Sequence, residues 1–217
     1  MNHRRQFFDQ AAADWDALEV KETHVRLREI VAELTIAPEA AVLDVGCGTG
    51  ILLPLLRESV NGDGRIVALD LSGEMLKRAL GKGAALSQSK EPALSQSKGQ
   101  PAVYVQGDAE SLPLPEGVFD WVFCNAVFPH FADKLGALAE LRRVLRKGGR
   151  LIICHTASRQ TINEFHRSIG GAVAYDAIPG EEEMLRLLRE AGLAEAQVRD
   201  EPDRYLALAC RNGNTGR

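Results

Sequence analysis

Ala41-Val42-Leu43-Asp44-Val45-Gly46-Cys47-Gly48-Thr49-Gly50 is the stretch whose reading decides the fold of this 217-residue chain. Its first five residues are a short apolar run, the pattern of a strand buried on both faces of a parallel sheet. Three alternating glycines follow. Without a Cβ they turn the chain sharply and let a ligand approach the main chain. Residues 51–60 then read as a helix, free of proline except at Pro54. Strand, glycine turn and helix N-terminus form the first half of a nucleotide-type site. The dinucleotide fingerprint G-x-G-x-x-G is not met: its third glycine falls on Ile51 counted from Gly46, and on Leu53 counted from Gly48.

Working outward, Asn61-Gly62-Asp63-Gly64 is dense turn chemistry, and residues 65–70 read as a second buried strand ending on Asp70. Ser72 suits the N-cap of the next helix, with Glu74 in its first turn. Asp70 lies 26 residues past Asp44, near the spacing at which a strand-end carboxylate meets the two hydroxyls of a ribose. Residues 102–108 and 119–126 read as strands three and four, linked by a loop that carries Pro113 and Pro115. An amphipathic helix is expected over 133–147, with Arg142, Arg143, Arg146 and Lys147 in its last turns and Gly148-Gly149 as its stop. Strand five covers 150–155, helices follow at 158–169 and 181–191, and 197–200 with 205–210 form a closing antiparallel pair. Upstream, helices are expected over 6–18, carrying Phe7, Phe8 and Trp15, and over 23–34. Five strand–helix units with both faces covered imply an open, doubly wound α/β sheet.

Asp-x-Gly-x-Gly-x-Gly at 44–50, Asp70, Asp108-Ala109 and Leu141-Arg142-Arg143-Val144-Leu145-Arg146-Lys147-Gly148-Gly149-Arg150-Leu151 together resemble the motifs of class I S-adenosylmethionine-dependent methyltransferases, in particular the small-molecule, menaquinone-biosynthesis-like branch. The resemblance runs over residues 41–210. It implies a Rossmann-like doubly wound seven-stranded sheet with an antiparallel last strand, helices on both faces and an N-terminal helical cover. It also implies S-adenosylmethionine as cofactor. Asp44, Gly46, Cys47, Gly48 and Gly50 would pack against the methionine part and Asp70 with Leu71 would bind the ribose hydroxyls. Asp108 would accept from the adenine amino group beside the Ala109 amide, and Met75 and Asn125 complete the set. On this reading, residues 1–217 are one methyltransferase domain: a cover over 1–38, a cofactor core over 41–155 and an acceptor side over 156–217.

The strand ends, Asp44, Asp70, Asp108, Asn125 and His155, gather where ligands bind in a doubly wound sheet. Methyl transfer from a sulfonium needs the acceptor held in line with the methyl carbon, and for some acceptors a base. By the resemblance, residues 125–130 line the transfer site. His130 is the base candidate by position, with a structural role as the alternative, and His155 is expected to face the acceptor. His166 adds a third histidine, but the spacing matches no metal signature and no metal is expected. Asn125-Ala126-Val127-Phe128 is not the Asn-Pro-Pro-Tyr of an N6-adenine enzyme, and Cys124 lacks the preceding proline of a C5-cytosine nucleophile. Arsenite methylation is disfavoured because clustered cysteines are missing. Residues 156–179 form the acceptor-specific part, with Gly170-Gly171 and Ile178-Pro179-Gly180 as hinge candidates.

Composition sets the remaining bounds. Hydrophobic residues make up 45% and charged residues 26%, ordinary for a globular domain, and the net charge of -4 argues against a nucleic-acid partner. No apolar run reaches membrane-spanning length, and the four cysteines are read as buried, reduced thiols of a cytoplasmic protein. Residues 85–92 and 93–100 are a tandem duplication, Ala-Leu-Ser-Gln-Ser-Lys in both copies, read as a surface insertion. The expectation is a methyltransferase with a small-molecule acceptor, acting as a monomer or homodimer. Methyl transfer to RNA or protein, a non-catalytic cofactor-binding module and a nicotinamide oxidoreductase are the alternatives.

Overall fold

The computed structural model describes residues 3–18, 21–60, 64–88 and 102–213. Its strands are β1 (Ala41–Val45), β2 (Arg65–Asp70), β3 (Val103–Gln106), β4 (Phe119–Asn125), β5 (Leu145–His155), β6 (Leu193–Glu201) and β7 (Arg204–Arg211). They form one seven-stranded sheet in the order β3-β2-β1-β4-β5-β7-β6. β1 pairs in parallel with β2 and β4, as do β2 with β3 and β4 with β5, whereas β7 runs antiparallel to both β5 and β6. Strand order reverses between β1 and β4, so a crevice opens beyond their carboxyl ends.

The helices are α1 (His3–Ala11), α2 (Lys21–Ala32), α3 (Leu53–Ser59), α4 (Gly73–Gln88), α5 (Lys134–Val144), α6 (Arg159–Ile169) and α7 (Glu181–Glu190). β1 is buried at every position, and its alternating side chains feed two cores. Val42 packs with Leu27, Ile30, Leu53 and Leu56 of α2 and α3 on one face. Leu43 and Val45 pack with Leu138, Leu141, Met184 and Leu188 of α5 and α7 on the other. The α4 cap forms as expected, with Met75 N donating to Ser72 Oγ over 3.1 Å. No helix among the described residues is long and apolar enough to cross a membrane. Cys47, Cys124 and Cys154 are buried free thiols, and Cys210 is half-buried.

Three expectations need correction. The helix over 6–18 is instead α1 followed by a 3-10 turn at Trp15–Leu18. The break lets Trp15 meet Phe8 edge-on at 5.8 Å while Asp16 reaches Thr49. The helix over 133–147 stops at Val144, because the next residues are drawn into β5: Leu145 pairs with Phe119, then the register slips and Trp121 faces Arg150. Arg146 and Lys147 therefore ride on the strand, and Arg146 pairs with Asp120 rather than with a helix end. Finally, four rather than five strand–helix units form, because the β3–β4 crossover is the proline-bearing connection expected and not a helix. It is a loop held by Arg143, whose guanidinium donates to the Leu112 and Leu114 carbonyls. α4 takes in the first residues of the duplicated segment, and the rest of it lies outside the described residues.

Candidate active site

The loop after β1 rises to the crevice with positive φ at Gly46, Gly48 and Gly50. At Gly46 the requirement is absolute, since a Cβ would sit 2.2 Å from Val127 Cγ2. Asp70, at the end of β2, ties this loop down. Its Oδ2 accepts from Gly48 N and its Oδ1 from Ser72 N, both at 2.8 Å. Each oxygen keeps a lone pair for a further donor. Beneath the loop Asp44 is 1% exposed, and neither carboxylate oxygen has a partner. Burial, reinforced by the neighbouring Asp70 charge, pushes the Asp44 carboxyl up to about 8. Burial also raises Asp70, against the two backbone N–H groups that favour its charged form. Burial and the same two acids raise the Cys47 thiol, which rules it out as a nucleophile.

A cavity of about 410 Å³ extends from this loop across the carboxyl edge of the sheet. Of the expected cofactor residues, Gly46, Cys47, Gly48, Asp70, Leu71, Met75, Asp108, Ala109 and Asn125 line it. Asp44 and Gly50 are not on its wall. Gly50 seats α4, because a Cβ there would stand 3.2 Å from both Ala79 Cβ and Leu53 Cδ1. Ala126, next to Asn125, has φ of 55°, a strained backbone for a non-glycine residue at the mouth of a site.

The far wall and roof come from distant parts of the chain. His130, on a 3-10 turn at Phe128–His130, lines the cavity together with Ile162 and Phe165 of α6. Arg4, Phe8 and Trp15 of the N-terminal cover complete it. The cover contributes no buried residue from α1 and is fastened by polar contacts. Arg4 Nη2 meets Asp176 Oδ1 at 2.8 Å, Ser72 Oγ donates to Asp9 at 2.6 Å, and Thr49 Oγ1 and Lys82 Nζ both donate to Asp16. Two of these three fastenings end on Thr49 and Ser72, inside the cofactor loops themselves.

His155, expected to face the acceptor, does not line the cavity. It is 1% exposed, stacked edge-on to Tyr205 at 6.4 Å, and its Nε2 has no partner. Burial, with small contributions from His130 and His166, lowers it to about 3, so it stays neutral. His155 still belongs to β5, where Tyr205 of β7 lies opposite it and packs against its ring. Asp176 was missed altogether. It stands in an irregular segment without motif or periodicity, beside Tyr175, which is almost wholly exposed, and only the folded chain sends the one inward and the other out. No group of three or more metal-ligating side chains gathers among the described residues.

These features fit S-adenosylmethionine. Asp70 stands on the cavity wall with lone pairs left for a ribose diol, and the glycine loop lets a ligand come close to the protein main chain. The comparisons with known proteins agree. A methyltransferase domain family matches residues 43–153. The chain is 32% identical over 191 residues to a malonyl-[acyl-carrier protein] O-methyltransferase of Hahella chejuensis, covering 88% of this chain and 60% of that one. It is 30% identical over 156 residues to the ubiquinone/menaquinone biosynthesis C-methyltransferase of the same organism, covering 70% of this chain and 59% of the other. The chain thus spans about three-fifths of the length of these two relatives. A SAM-dependent methyltransferase structure from Aquifex aeolicus superposes with a TM-score of 0.71 at 22% identity, over 92% of this chain and 98% of that one, and shows the shared fold. With its glycine loop, its paired buried acids and this domain match, the chain belongs to the class I S-adenosylmethionine-dependent methyltransferases.

Proposed function

We propose that the protein transfers the methyl group of S-adenosylmethionine to a small-molecule acceptor seated between the N-terminal cover, the 3-10 turn at Phe128–His130 and α6. The observation that carries this reading is the roofed cavity. Its volume of about 410 Å³ falls in the range of small-ligand sites, and Arg4, Phe8 and Trp15 stand where a polymer would need open ground. The relative named as a ubiquinone/menaquinone biosynthesis C-methyltransferase supports the same class. So does the absence of a strong positive charge on the whole chain, which is -4.

Bound S-adenosylmethionine supplies a methyl group on a sulfonium, already activated for displacement, so the protein's part is positioning and charge control. Asp70 holds Gly48 and Ser72 in place and would offer its remaining lone pairs to the ribose. Asp108, whose Oδ1 accepts from Glu110 N at 3.0 Å, would have its other oxygen left for the adenine amino group. Phe8 and Trp15 exclude water over the transfer region, with Trp15 Nε1 lying 3.8 Å from where a Gly48 Cβ would stand. Residues 156–179 serve as the acceptor-specific wall in this reading, and residues 3–18 as the cover.

Calorimetry with S-adenosylmethionine and S-adenosylhomocysteine, with NADH as control, tests the cofactor half, and release of S-adenosylhomocysteine with candidate acceptors tests the rest. Binding of the first two ligands alone, followed by turnover of a small acceptor, is the expected result. Salt-sensitive binding to RNA would replace the acceptor assignment. Tight cofactor binding with no turnover of any acceptor would favour a regulatory module.

A further inference from the structure

His130, Asp176 and Arg4 form a chain of side chains drawn from three separate parts of the sequence. His130 Nδ1 lies 2.8 Å from Asp176 Oδ2, and Arg4 Nη2 lies 2.8 Å from Asp176 Oδ1. The histidine ring is held on two sides, by Phe8 edge-on at 5.1 Å and by the His166 ring at 4.9 Å. It is 11% exposed, and what remains exposed belongs to the cavity wall. Resting on the methyltransferase reading above, we propose that His130 is the proton acceptor of the transfer, with Asp176 as its positioning residue, and that the acceptor is a hydroxyl, an enol or a carbon acid rather than a thiol.

The hydrogen-bond pattern selects the tautomer. Burial pushes the Asp176 carboxyl up, but the hydrogen bonds from His130 and Arg4 outweigh it and hold the group down at about 2. An ionised Asp176 can only accept, so the proton between the pair sits on Nδ1 and the free lone pair on Nε2. The other groups facing the ring are engaged elsewhere. His166 donates from Nδ1 to the Asp176 carbonyl at 2.8 Å, and burial lowers it against that hydrogen bond. His155 is neutral. Lys134 spends its ammonium on the Pro129 and Phe131 carbonyls at 3.0 and 3.1 Å, with Glu110 and Glu183 in range of it. Arg4 and Asp176 offset each other, so the imidazolium that forms carries the one new charge and has a carboxylate 2.8 Å away.

The step balances. His130 Nε2 takes the proton of the acceptor O–H or C–H bond, and the electron pair left on that atom forms the bond to the methyl carbon. The carbon–sulfur bond breaks with its pair staying on sulfur, which turns the sulfonium into a neutral thioether. The imidazolium later gives its proton to water. A thiol ionises near neutral pH, so it does not need this device. Arg4 sits on the cover, so the alignment of Asp176 is complete only with α1 in place.

Nitrogen-15 NMR of the histidine rings reads the tautomer without any acceptor. The wild-type protein should carry the His130 proton on Nδ1, and Asp176→Asn should shift it toward Nε2. A wild-type His130 protonated on Nε2 overturns the proposal. The second arm compares phenol with the near-isosteric thiophenol, and adds acetylacetone as a carbon acid. His130→Gln should lower kcat for phenol or acetylacetone by about 100-fold or more, while S-adenosylhomocysteine binding by calorimetry stays within about threefold. Methylation of thiophenol but of neither other probe, or equal rates for His130→Gln and wild type, overturns it. Failure of S-adenosylhomocysteine to bind the wild type would instead count against the cofactor reading, and the NMR arm would still decide this one.

Discussion

The two ends of the cavity are built in opposite ways. The cofactor end is local. Asp44, Gly46, Gly48, Asp70 and Ser72 lie within one strand–loop–helix–strand unit, and its decisive contacts use backbone N–H groups held by one carboxylate. The acceptor end is assembled from afar. Arg4 and Asp176 are 172 residues apart, His130 and Asp176 are 46 apart, and their contacts run side chain to side chain. Backbone geometry tolerates many sequences so long as the glycines and the acid are kept. A side-chain relay depends on every member at once. The first arrangement suits a ligand shared by a whole family, and the second suits an acceptor that changes from one member to the next.

Damage to the local end should be the more severe. Gly46→Ala puts a Cβ into Val127 on a backbone with φ of +66°, and we expect a loss of roughly 2–4 kcal/mol in denaturant unfolding together with loss of cofactor binding. A stable variant that still binds S-adenosylhomocysteine would mean that the loop is not the rigid cradle described. Asp70→Ala should come next. It removes the acceptor of two backbone N–H groups, and calorimetry should show about 100-fold weaker binding with the fold retained. Unchanged affinity would dissolve the ribose assignment.

Arg4→Ala should sharpen the contrast from the other side. Acceptor turnover should fall about tenfold by loss of the Asp176 contact, while affinity for S-adenosylhomocysteine changes by less than about threefold. An equal loss of both would join the two ends into one. A separate pH effect belongs to the cofactor end. The Asp44 carboxyl holds its proton to about 8 in the folded protein but releases it near the ordinary carboxylate value when unfolded. Between those values the folded state binds more protons, so this group makes stability fall as pH rises. The melting temperature of the unliganded wild type should therefore drop more steeply from pH 5 to pH 8 than that of Asp44→Asn, and identical slopes would show Asp44 to be ionised throughout. Deletion of residues 93–100 should have the least effect, leaving both melting temperature and cofactor affinity nearly intact.

The legibility of the chain follows the same division. β1 and β2 were readable because strands buried on both faces are unbroken apolar runs, and Asp70 was readable because the glycine loop fixes where a strand-end acid stands. The end of α5 was not, since Arg146 and Lys147 continue the helical pattern, and only the pairing of Leu145 with Phe119 pulls the chain into β5. Trp15 was read on the correct segment but on a continuous helix, because its turn toward the crevice answers to Phe8 and Thr49 rather than to local propensity. His155 looked like a rim residue by strand position, and the antiparallel β7, which places Tyr205 opposite it, decided otherwise.

The sequence by itself determined the doubly wound sheet, the glycine loop and the acids of the cofactor end, because these rest on periodicity and on spacings within a few tens of residues. Tertiary structure alone decided the acceptor end. The ring nitrogen of His130 that stays free is set by Asp176, and Asp176 is held by Arg4 at the opposite end of the chain. No local pattern encodes such a contact, since its energy comes from charges that meet only when the cover and the segment after α6 close over the same cavity.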